Sequence, residues 1–163
     1  MYFFHNKHFI INFGYIENLK KEIIMTKYLT TLCLIGGGIL PILVDVNTSH
    51  LLNPDWDSHA RVHEAWRLST NFLVFSLGIY LLWSRNKEIL AGLLSLCIHL
   101  GFVIAAILMP IYGGEPVGEG IPEPEILMVP FNVFFFGSMF LLQGMVLMTA
   151  VKNKNLSLSG ELK

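Results

Sequence analysis

Four long apolar runs separated by short polar breaks dominate the chain: Tyr28 to Val44, Leu68 to Trp83, Ile89 to Tyr112 and Ile126 to Val151. Each approaches the roughly 20 residues that a helix rising about 1.5 Å per residue needs to cross a hydrocarbon layer of about 30 Å. The second run is short for a span, but a start signal precedes it. Asn53 suits a helix cap, Pro54 a first helical position, and Asp55 and Asp57 the positive end of the helix dipole. The expected second helix then covers about residues 57–83. Short links between consecutive spans favour an all-α polytopic membrane protein, an antiparallel four-transmembrane-helix bundle over residues 25–151 with a tail at 152–163. Gly36-Gly37-Gly38 and Pro41 predict a close helix contact and a kink in the first span. Between the third and fourth spans, GGEPVGEGIPEPE continues neither helix and reads as an irregular loop.

Residues 1–24 show neither a helical stripe nor a signal-peptide layout. Lys21-Glu22-Ile23-Ile24 can be back-translated to a ribosome-binding sequence just upstream of Met25, so the expected natural start is Met25, the alternative being a cytosolic leader. The run after Lys27 has no small-x-small cleavage site and ends at Asp45, so it reads as a retained helix.

Composition agrees with a bilayer setting. Hydrophobic residues make up 53% of the chain and charged ones only 14%, with a mean hydropathy of +0.57, values foreign to a soluble domain. The net charge of −1 conceals a segregation along the chain. Nine of the eleven Lys and Arg residues fall in the N-terminal flank, the link near Arg85 and Lys87, and the C-terminal tail, whereas eight of the twelve acids fall in the other two loops. This asymmetry places both termini in the cytoplasm of a multi-pass protein of the plasma (bacterial inner) membrane. Tyr28, Tyr80, Trp83, Trp66 and Tyr112 sit at expected span ends, as aromatic-belt residues do. No basic stripe is interleaved with aromatics, so the expected partner is the lipid bilayer and not nucleic acid; a protein partner is not legible. Cys33 and Cys97 lie within apolar runs and suggest no disulfide framework.

Ionisable side chains crowd into one stretch, NPDWDSHARVHEAWR, from Asn53 to Arg67. At about 100° per residue, His59, His63, Trp66 and Thr70 share a narrow helical face, with Arg67 and Asn71 at its edge. Histidines four apart can converge on Zn or Fe, with His50, Asp55, Asp57 or a glutamate of the 113–125 loop as a third ligand. The plainer reading is a pair of hydrogen-bonded interfacial histidines. Arg61 to Glu64 and Glu64 to Arg67 are i, i+3 pairs that suit a local ion-pair ladder; alternatively Arg61 and Arg67 meet an anionic headgroup or substrate. His99 stands alone in mid-span, where an ionisable group needs a partner; Asn71, Asn132 and Gln143 are the candidates, with function and helix glue both open. Met128, Met139, Met145, Met148 and Phe134-Phe135-Phe136 suit a lipid-facing or packed surface.

The set Asp45-x-Asn47, His50, Asn53-Pro54, Trp56, His59-Ala60-Arg61, His63 and Trp66 resembles the signature of a family of small four-span membrane proteins of bacteria and fungi whose function is unknown. The resemblance covers the end of the first span through the second and implies a four-helix architecture without an activity. At the level of topology alone the chain is also similar to the sterol-isomerase and sigma-2-receptor superfamily, but Asp45 and Glu64 lie near the outer boundary and no catalytic residue carries over. The expectation is therefore a small or lipid-like ligand in a polar pocket at the non-cytoplasmic mouth, floored by His59, His63 and Thr70, bordered by Arg61, Trp66 and Arg67 and covered by the Glu-rich loop, with His99 deeper in the bundle. Two other classes compete with it: a non-catalytic subunit or assembly factor, and an enzyme using His59 and His63 in acid and base roles.

Overall fold

The computed structural model describes residues 3–117 and 124–158, and the side chains within 14–117 and 124–156. It is all-helical apart from one short hairpin. Helix α1 (Phe3–Gly38) runs almost directly into the short α2 (Leu40–Asp45), the break falling at Ile39 just before Pro41, where the sequence places a kink. Helix α3 (Ser58–Ile79) ends in a wider π-type turn at Tyr80–Ser84, followed by α4 (Glu88–Tyr112). Strands β1 (Glu125–Ile126) and β2 (Val129–Pro130) form a two-residue antiparallel hairpin that leads into α5 (Phe131–Leu158). Among the described residues, four stretches are long and apolar enough to span a membrane: Gly14–Asp45, Ser58–Ser84, Glu88–Tyr112 and Phe131–Leu156.

Helix α1 is the hub. In its most apolar window 39% is buried, against 17% in each of the other three. The three consecutive glycines explain how. Each step of about 100° turns the next position toward a different neighbour. A Cβ on Gly36 would meet Phe135 of α5 at 3.2 Å, one on Gly37 would meet Ile98 of α4 at 2.8 Å, and one on Gly38 would meet Phe75 of α3 at 2.3 Å. The missing side chains let three helices approach one backbone, as small residues do inside membranes. Leu34 and Cys33, one turn earlier, are fully buried in the same junction.

Elsewhere many of the large apolar side chains face outward. Ile107, Ile111, Leu141 and Met148 are each more than 60% exposed. A water-soluble monomer rarely shows apolar surface on that scale, whereas a lipid-facing bundle must.

Three boundaries differ from those expected. Helix α1 passes through residues 3–24 and Met25 without a break, and Leu19 is buried. Helix α3 is capped not by Asn53 but by Asp57, whose Oδ1 accepts from the amides of His59 (2.8 Å) and Ala60 (3.4 Å); Asn53 instead accepts from the Asp55 amide within a turn. The fourth helix starts at Phe131 rather than Ile126, because Leu127 and Met128 adopt left-handed backbone (φ 54° and 65°) and close the hairpin.

Candidate functional site

The Asn53–Arg67 stretch folds as a turn-rich connection followed by the first turns of α3. Asn47 organises the connection: its Oδ1 accepts from the Ser49 amide (2.8 Å), the Ser49 hydroxyl (2.7 Å) and the His50 amide (3.1 Å). These bonds carry the chain back toward α3, where Arg67 joins α3 to the end of α2. Its Nε donates to Glu64 Oε2 at 2.9 Å, and its Nη2 reaches both Glu64 Oε1 and Asp45 Oδ2. Two carboxylates on one guanidinium leave one negative charge in excess. His50 Nε2 stands 4.0 Å from the other oxygen of Asp45. The expected Glu64–Arg67 rung is present, and its extension to Asp45, across 22 residues, is the part that sequence spacing misses. Arg61 makes no ion pair with the described residues.

The histidine face forms, but it points away from the bundle. His59 Nε2 and His63 Nε2 lie 2.9 Å apart, so one ring donates to the other, and the His63 ring stacks on Trp66 at 6.1 Å. His59, His63 and Thr70 are exposed and Trp66 is 66% exposed. The helix turns this face outward, while Leu68 is buried against the neighbouring helices. Among the described residues no group of three or more His, Cys, Asp or Glu side chains is placed to hold a metal ion. His50 lies instead with Asp45, and the Asp57 carboxylate is engaged by the α3 amides. A shallow apolar cleft of about 390 Å³ opens beside this end, between Ile42, Val46 and Leu51 on one side and Leu68, Phe72 and Leu73 on the other. Residues 118–123 of the expected Glu-rich cover lie outside the described residues; just before them, Pro116 accepts from Asn132 Nδ2 at the start of α5.

In mid-bundle, His99 is fully buried, and its Nε2–H donates to the backbone carbonyl of Cys33 at 3.0 Å. This partner is none of the three polar side chains expected. Gly37, one turn beyond Cys33, makes it possible: a Cβ there would come within 3.2 Å of His99 Cε1. Ser95 and Gln143 are also fully buried, and neither the Ser95 hydroxyl, nor His99 Nδ1, nor either end of the Gln143 amide has a hydrogen-bond partner. Gln143 packs over Gly92, where a Cβ would lie 3.1 Å from its Nε2.

A second concavity lies at the opposite end, where the sequence shows no motif. It measures about 520 Å³, within the range of small-molecule sites. Its apolar wall includes Ile23 of α1, Ile89, Leu90 and Leu93 of α4, and Ala150 of α5. Its polar side carries Asn86, Lys87, Glu88, Asn153 and Lys154. Asn153 is only 3% exposed, and both ends of its amide lack partners. Lys27 braces the rim: its ammonium donates to Asn86 Oδ1 at 2.6 Å, lies 3.8 Å from Glu88 and sits over the Trp83 ring, whose Nε1–H donates to Thr31. The only sequence signal for this site was an asparagine placed on an otherwise apolar helix face, with buried Val146 and Ala150 on the turns before it.

No protein-family model matches this chain, and neither a curated protein nor a solved structure does.

Proposed function

We propose that this chain is a plasma-membrane protein of four antiparallel spans, both termini cytoplasmic, that binds a lipid-like ligand in the pocket between α1, α4 and α5. The carrying observation is the 520 Å³ concavity with an apolar wall on one side and the buried, unpartnered Asn153 amide on the other. An amphiphile is the ligand that satisfies both: its chain covers Leu90 and Leu93, and its polar end reaches the amide. A buried amide left without a hydrogen bond costs about 1–3 kcal/mol, which a polar ligand group recovers. The site thus moves from the mouth near His59 to the end that bears Lys87 and Lys154.

Photo-crosslinking tests this reading in proteoliposomes that carry a phospholipid with a diazirine on its acyl chain. Adducts are expected to concentrate on peptides containing Ile89 to Leu93 and Ala150 to Lys154. Even labelling of every outward apolar face would contradict the reading.

One observation favours a second reading, that of a non-catalytic subunit. Trp66 and the His59–His63 pair form an exposed aromatic and polar row at a helix end, and such residues anchor interfaces when covered. His59→Ala with Trp66→Ala would then release a co-purifying protein and leave lipid labelling unchanged.

A further inference from the structure

The pocket's polar side carries a chemical signature that narrows its ligand. Four features converge there, and the first three favour negative charge. First, α4 begins at Glu88 without a side-chain cap, since its N-cap residue is Lys87, which has no acceptor to offer. The intrahelical ladder starts with the Ala91 amide on the Lys87 carbonyl at 2.9 Å, so the amides of Glu88, Ile89 and Leu90 precede it. These three residues line the concavity, and a 25-residue helix presents its positive end there. Second, the acid on the wall is already matched: Glu88 lies 3.8 Å from Lys27, both side chains being largely buried. Third, the other charged residues on the wall, Lys87 and Lys154, are both cations.

The fourth feature is independent of charge. Asn153 is almost fully buried, lines the same concavity, and has a free donor at Nδ2 and a free acceptor at Oδ1. A phosphate ester can take the donor on a non-bridging oxygen, while an adjacent hydroxyl donates to Oδ1. A zwitterionic choline headgroup brings a bulky cation beside two lysines and has no hydroxyl to give.

Resting on the lipid-binding reading above, we infer that the pocket selects an anionic phospholipid, its phosphate seated between the N-terminal amides of α4, Lys87, Lys154 and the Asn153 amide. The acyl chain then descends along Leu90 and Leu93. The ligand is a membrane lipid rather than a soluble phosphate, because Leu90 and Leu93, both more than 40% exposed, continue the site as an apolar surface that a soluble phosphate would leave uncovered.

The test is lipid exchange on the full chain in mild detergent, read by native mass spectrometry with phosphatidylglycerol and phosphatidylcholine offered at equal concentration. The wild type is expected to prefer phosphatidylglycerol roughly thirtyfold, about fivefold for each lysine. Lys87→Gln with Lys154→Gln is expected to abolish the preference while a lipid is still retained, and Asn153→Leu to weaken both lipids, since the phosphate of each can take its Nδ2 donor. Leu93→Trp fills the apolar wall and is expected to exclude both lipids; Leu90→Trp serves the same purpose if that variant does not fold. Glycerol phosphate at millimolar concentration is expected to displace neither. Equal retention of the two lipids by the wild type, or a preference that survives loss of both lysines, overturns the anionic selection alone. Displacement by glycerol phosphate overturns the membrane source. No lipid in the wild type, or full retention in both tryptophan variants, overturns the lipid-binding reading itself.

Discussion

Arg67 links the ends of two helices with a single guanidinium. Its fork meets both oxygens of Glu64 within α3 and reaches back to Asp45 at the end of α2. Arg67→Met leaves two carboxylates side by side without their cation. Because the pair is half-exposed, the expected loss is roughly 1–2 kcal/mol, between the values for surface and buried ion pairs. Reversible unfolding in mixed micelles measures it, and Arg67→Lys is expected to recover only part, since an ammonium cannot hold Glu64 through two parallel bonds. His59→Ala and His63→Ala are expected to change stability by less than about 0.5 kcal/mol, because both rings are exposed and bond chiefly to each other. Their shared face was legible from the i, i+4 spacing. Its direction was not, because a helical projection sorts residues into faces without saying which face meets a neighbour. The partner of His99 was hidden for a related reason: a backbone carbonyl leaves no mark in a sequence, and its one trace, Gly37, was legible only as a site of close approach.

At the scale of elements, α1 and not the charged stretch organises the fold. Gly36, Gly37 and Gly38 face α5, α4 and α3 in turn, which gives the expected close contact a threefold geometry. Gly38→Ala forces its Cβ against Phe75 Cβ, at 2.3 Å in the present backbone, and is expected to cost about 1–3 kcal/mol as the helices separate. Gly101→Ala has nothing within 4 Å of the new Cβ and is expected to be neutral or stabilising by up to about 1 kcal/mol through helix propensity. Unfolding of the two variants under identical micelle conditions separates packing from propensity. The extents of the second and third helices were legible to within a residue or so, since polar breaks bound them, although the cap of α3 falls on Asp57 and not on Asn53. The start of α5 was not, because its hairpin turn is built from Leu127 and Met128, 84% and 92% exposed, where φ above zero ordinarily calls for Gly, Asn or Asp. The continuity of α1 through Met25 also bears on the pocket: a chain beginning at Met25 lacks Ile23 but keeps every α4 and α5 residue of the wall.

On the scale of the molecule, polar groups are concentrated at the two ends and in one buried mid-bundle row, and the rest of the outer surface is largely apolar. That distribution fits a bilayer, and hydropathy alone was enough to anticipate it. The ligand site was not legible in the same way. The stretch richest in ionisable residues ties its charges into Asp45, Glu64 and Arg67 and turns its histidines outward. The concavity forms instead where three helices that are distant in sequence bring together side chains that look ordinary one at a time. Lys87 and Lys154 count only toward the basic flanks of the sequence, and Asn153 falls in the tail expected at 152–163, until α1, α4 and α5 are packed around them.

The central claim is that this pocket holds a lipid, and native mass spectrometry of the protein purified directly from its own membrane in mild detergent tests it most directly. The account predicts a chain carrying one phospholipid-sized adduct that withstands detergent exchange in the wild type and disappears in Leu93→Trp. A wild-type chain that emerges bare, or an adduct equally abundant in the variant, would contradict it.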